Sequence, residues 1–126
     1  MARILVIDDD EIVAATIRMM LESGGHEVRQ LEHGAQALDM LKQEAIDLVI
    51  TDLLMPEQDG IEIIKQIGTL ADAPPVLAIS GGGVAGNELY LRAAGALGAA
   101  DTLPKPFTSK SLLAKVELLL KPRRGM

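Results

Sequence analysis

Four apolar runs in this chain end on residues that carry chemistry, and this arrangement constrains the fold more than any other feature. Ile4-Leu5-Val6-Ile7 leads into Asp8-Asp9-Asp10, Leu48-Val49-Ile50-Thr51 into Asp52, Val76-Leu77-Ala78-Ile79 into Ser80, and Leu103-Pro104 into Lys105. Continuous apolar runs of this length suit strands buried on both faces, as in a parallel sheet covered by helices. If the runs are neighbouring strands, their carboxyl ends converge on one edge, where open α/β folds place their ligands. Carboxylates, a hydroxyl and an amine would then share one pocket.

Between the runs, apolar residues recur at helical spacing: Val13, Ile17, Met20 and Leu21; Ala37, Leu38 and Leu41; Ile61, Ile64 and Ile67; Leu89, Ala93 and Leu97; and Leu112, Leu113, Val116, Leu119 and Leu120. Glu27 to Leu31 reads as a weaker strand in an outer position. Asp101 to Leu103 runs into Pro104, which cannot donate a ladder hydrogen bond and places a fifth strand at an edge. Turn and cap residues, Ser23-Gly24-Gly25, Pro56, Pro74-Pro75 and Gly81-Gly82-Gly83, fall between the elements. The pattern predicts an α/β fold of five βα units around a doubly wound five-stranded parallel sheet.

At 126 residues and 48% apolar composition, the chain has material for one domain with a real core. The reading is a domain over residues 1–121, a short tail over 122–126, and no output domain. No apolar stretch approaches the roughly 20 residues of a membrane span, and acids follow the first strand too soon for a secretory leader. A soluble, cytoplasmic protein is expected. The absence of cysteine removes disulfide and thiolate chemistry, and a net charge of −6 argues against a nucleic-acid surface, which needs clustered Lys and Arg. The basic cluster Lys121, Arg123 and Arg124 reads as a solvated tail.

Two or three carboxylates in a small pocket repel by about 1 to 4 kcal/mol per pair at ~4 Å and invite a cation. Hard oxygen ligands favour Mg²⁺, with Mn²⁺ as a substitute, and Mg²⁺ commonly shares its oxygens with a phosphate. Lys105 would supply positive charge, Ser80 a hydroxyl donor and Gly81 an unobstructed backbone N–H, leaving Asp52 as a nucleophile toward phosphorus. Each residue alone has a plainer role. An aspartate after a strand is most often the N-cap of the next helix, and that role is open to any of Asp8, Asp9 and Asp10. Asp52 could begin a turn, Ser80 could be a loop residue, and Lys105 could be a solvated surface lysine. Four such residues at the ends of strands favour a single site. His26 and His33 flank the weak outer strand, and both read as surface residues.

The chain resembles a response regulator receiver domain, the phosphoacceptor half of two-component signalling. The strings Ile4-Leu5-Val6-Ile7-Asp8-Asp9, Asp52-Leu53-Leu54-Met55-Pro56-Glu57-Gln58-Asp59-Gly60, Ser80 and Lys105-Pro106-Phe107 carry the resemblance over nearly the whole length. It implies a flavodoxin-like sheet of order 2-1-3-4-5, with Asp52 as phosphorylation site. It also implies Mg²⁺ bound by Asp8, Asp9, Asp52 and the main-chain carbonyl of Leu54, phosphoryl oxygens held by Lys105, Ser80 and Gly81, and a cis Lys105–Pro106 bond. The implied donor is a phosphohistidine on a sensor histidine kinase or histidine phosphotransfer protein. An unidentified downstream protein would read the surface of the fourth and fifth helices and fifth strand, with the chain a monomer or a phosphorylation-dependent dimer. An aromatic residue is common in this family three positions before the lysine, and this chain has Thr102. Tyr90 and Phe107 are its only aromatic residues, and Phe107 is expected to pack.

Two rival readings explain less. A haloacid-dehalogenase-like phosphatase would use the Asp8-Asp9-Asp10 run, yet it leaves Asp52 and its M-P-x-x-D-G string unexplained, and position 12 is Ile. A receiver-like interaction module that takes no phosphate would not need every chemical position filled. The glycine run after Ser80 lacks the spacing of a nucleotide-binding loop and is expected to be mobile when Asp52 is unmodified.

Overall fold

The computed structural model describes residues 2–53, 60–80, 95 and 98–120, the side chains of Ile61 and Ser80 excepted. Five parallel strands, β1 (Arg3–Ile7), β2 (Glu27–Leu31), β3 (Leu48–Asp52), β4 (Val76–Ser80) and β5 (Asp101–Pro104), form one sheet in the order β2-β1-β3-β4-β5. The flavodoxin-like topology expected from the sequence is therefore present, with the weak strand and the proline-ended strand at the two edges. The described helices are α1 (Glu11–Ser23), α2 (Ala37–Gln43), α3 (Gly60–Ile67) and α4 (Ser109–Leu120), with a 3-10 turn at Gly34–Gln36 leading into α2. The apolar stripe at Leu89, Ala93 and Leu97, the glycine run and the tail after Leu120 lie outside the described residues.

Strand alternation sorts the core into two layers. Ile4, Val6, Leu48, Ile50, Leu77 and Ile79 share one buried cluster with Ala14, Ile17 and Leu21 of α1 and Leu112 and Val116 of α4. Leu5, Ile7, Val49 and Ala78 form the other, with Ala37 of α2 and Ile63, Ile64 and Ile67 of α3. The three inner strands are apolar on both faces because helices cover both. Phe107 packs against the first cluster, as its place in the sequence suggested. Such an interior fixes the strand ends relative to one another, which a site assembled from several strands requires.

Candidate phosphoacceptor site

Register brings the acids together. Ile7 pairs with Thr51, so the residues that follow, Asp8 and Asp52, come side by side at the carboxyl edge of β1 and β3. Asp52 pairs with Ile79, and Ser80 pairs with Pro104, which directly precedes Lys105. The four chemical positions thus end adjacent strands, although the side chain of Ser80 and all of Leu54 and Gly81 lie outside the described residues. The Lys105–Pro106 bond is cis, as the resemblance implied.

The three consecutive aspartates divide their roles. Asp10 is the N-cap of α1, and its carboxylate accepts from the N–H groups of Ile12 and Val13 at 3.0 and 3.2 Å. That satisfies two donors the first helical turn leaves open. Asp8 faces the pocket and is 1% exposed. Its Oδ1 accepts the Asp10 N–H at 2.9 Å, and its Oδ2 lies 3.4 Å from the Lys105 ammonium. Lys105 Nζ is also 3.6 Å from Asp52 Oδ2, so one ammonium bridges both carboxylates.

Asp8, Asp9 and Asp52 each place a carboxylate oxygen within 4.8 Å of the others. This donor set fits a hard divalent cation. It is all oxygen and concentrates three formal negative charges against one lysine, so the repulsion is only partly offset. Burial is the largest influence on Asp8 and raises its carboxyl above the ordinary range. The Asp10 N–H and Lys105 oppose that rise, while the Asp9 charge adds to it. A cation at the cluster would favour the ionised form that burial disfavours.

Beside this pocket, Ile12, Val13, Thr16 and Met20 of α1 and the segment from Lys105 to Phe107 line an apolar groove of about 380 Å³. Ile12 is 79% exposed there. Sequence reasoning missed this surface because Ile12 lies off the buried stripe of its helix.

His26 corrects the sequence reading. It is buried, not at the surface, with its side chain 6% exposed and Nε2 3.2 Å from Glu117 Oε2. The partner is far away in sequence, so no local pattern reveals it. His33 is half exposed, as expected.

A family model described as the response regulator receiver domain matches residues 4–117. The response regulator MprA of Mycolicibacterium vanbaalenii is 38% identical over 120 residues, covering 94% of this chain and 50% of that protein. The chain thus spans about half the length of the curated relatives it matches. Among solved structures, the receiver domain of NtrX from Brucella abortus superposes with a TM-score of 0.86 at 30% identity, covering 94% of this chain and 98% of that one. The chemotaxis response regulator CheY4 of Vibrio cholerae superposes with a TM-score of 0.79 at 26% identity, over 95% and 99% of the two chains.

Proposed function

Because the chain belongs to the response regulator receiver-domain family, we propose that it is a phosphoacceptor switch in which Asp52 takes a phosphoryl group from a phosphohistidine of a sensor histidine kinase or histidine phosphotransfer protein. The observation that supports this reading most is the single Lys105 ammonium lying within reach of both Asp8 and Asp52. A carboxylate oxygen of Asp52 forms the new bond to phosphorus as the P–N bond to the donor imidazole breaks, and that bond's electron pair stays on the departing nitrogen. Lys105 offsets the negative charge gathered on the phosphoryl oxygens, and Ser80 and the Gly81 N–H are assigned as further donors to them.

Asp8, Asp9, Asp52 and the Leu54 carbonyl would hold Mg²⁺. The ion would supply charge neutralisation and alignment for an in-line transfer that depends mainly on positioning. Asp10 is left to cap α1 and is assigned no part in the transfer. Modification of Asp52 removes its carboxylate charge and transfers the hold of Lys105 to phosphoryl oxygens. That change is the local electrostatic event through which the surface read by a downstream partner shifts.

The test is intact-protein mass after incubation with Mg²⁺ and a small acyl phosphate. Wild type is expected to gain one phosphoryl group, Asp52→Asn none, and Lys105→Ala much less. Wild type that binds Mg²⁺ yet gains no adduct even at the earliest times would instead favour an interaction module that works without phosphate.

A further inference from the structure

The amino-terminal edge of the sheet, opposite the acids, carries a second polar junction that the phosphoryl chemistry does not use. His26 precedes β2, and its backbone N–H donates to the Leu21 carbonyl at 3.2 Å, closing the turn after α1. Its ring reaches two other elements. Nδ1 lies 3.3 Å from the Ala2 N–H at the start of β1, and Nε2 lies 3.2 Å from Glu117 on α4. Packing is close at this point, since a Cβ built on Gly24 would sit 2.7 Å from Leu113 of α4 and 3.5 Å from the His26 ring.

These partners set the tautomer. An N–H donor facing Nδ1 requires that nitrogen to be an acceptor, so the neutral ring carries its proton on Nε2 and donates it to Glu117. A second proton can go only to Nδ1, where it would face the Ala2 N–H donor to donor. Protonation therefore breaks the hydrogen bond to β1 and turns the contact with Glu117 into an ion pair. Other charged groups on the elements around the ring pair elsewhere: Arg3 with Glu27, Glu22 with Arg18, and Lys115 with Asp101. Among the described residues, Glu117 is the titratable side chain in direct contact with the ring.

We propose that His26 is a proton-operated latch that exchanges its hold on the start of β1 for a tighter hold on α4, independently of Asp52. Histidine is the side chain that ordinarily changes charge near neutral pH. The latch gives α4 an input separate from the phosphoacceptor site.

The test is NMR of the ¹⁵N-labelled chain between pH 5 and 8, following the His26 ring nitrogens and the Ala2 amide in wild type, His26→Gln and Glu117→Gln. Glutamine keeps an acceptor and a donor but cannot titrate in this range. The latch predicts a proton on Nε2 at high pH and an Ala2 amide that shifts with the same midpoint as the ring. In His26→Gln that coupled shift should be lost, and in Glu117→Gln the ring midpoint should move to lower pH. A neutral ring protonated on Nδ1, an Ala2 amide unmoved while the ring titrates, or an Ala2 shift that persists in His26→Gln would each overturn the proposal. The wild-type measurement decides the first two of these even if a variant folds poorly.

Discussion

At the scale of single residues, Asp8, Asp9 and Asp10 show how identical side chains acquire different work from their backbone positions. The sequence placed all three after a strand and left the capping role open among them. The structure assigns it to Asp10, the residue one step before the first turn of α1, and leaves Asp8 and Asp9 with Asp52. Asp10→Ala should therefore cost about 1 kcal/mol of stability, the usual cost of losing an N-cap, while Mg²⁺-dependent phosphoryl uptake continues. Urea unfolding and adduct mass on the same preparation separate the two effects, and loss of uptake in a folded variant would place Asp10 in the site itself. His26 was not legible at this scale. Its partner Glu117 is 91 positions away, and only the packing of α4 against α1 brings them together.

At the scale of elements, the inner strands were easy to read because both their faces are covered, and β2 was harder because one face is not. Only Val28 of its five residues is fully buried. Glu27 and Arg29 instead join Arg3 and Glu44 in a closed ring of ion pairs at 3.0 to 3.8 Å. These pairs lower the Glu27 carboxyl, chiefly through the Arg3 hydrogen bond, and raise Arg29, chiefly through Glu44. Partly exposed pairs add little to stability and are screened by salt. Val28→Ala should consequently destabilise by about 2 kcal/mol from lost burial and the cavity left behind. A double-mutant cycle on Arg29 and Glu44 should give a smaller coupling that fades in molar salt, and a salt-insensitive coupling as large as the Val28 loss would reverse the ranking. The 3-10 turn at Gly34–Gln36 went unread for a related reason. One turn is too short to produce a hydrophobic period.

Across the whole molecule, the site was legible because a topological rule, not a local pattern, places strand ends together, and because the three inner runs read plainly as strands. The same convergence makes the fold bear the site's electrostatic cost. Burial raises the Asp8 carboxyl, so the stability linked to this group is full below its unfolded value and is lost as pH rises through the higher folded value. At neutral pH without a cation, ionised Asp8 therefore works against folding, and Asp8→Asn should melt above wild type. That advantage should shrink as pH falls through the carboxylate range, where Asp8 becomes neutral in both states. Mg²⁺ at the proposed site should act in the opposite direction. An ion held by Asp8, Asp9 and Asp52 binds only the folded chain, and at about 100 times its dissociation constant contributes about 2.7 kcal/mol, or about 10 °C in a domain of this size. The two melting curves should thus change order, with Asp8→Asn the more stable in chelator and wild type the more stable in saturating Mg²⁺. Thermal unfolding at pH 7 and near pH 4, with and without the metal, measures both effects. If Mg²⁺ raised both proteins equally, the metal would be binding away from the three aspartates, and the cost assigned to Asp8 would be opposed only by the Asp10 N–H and Lys105.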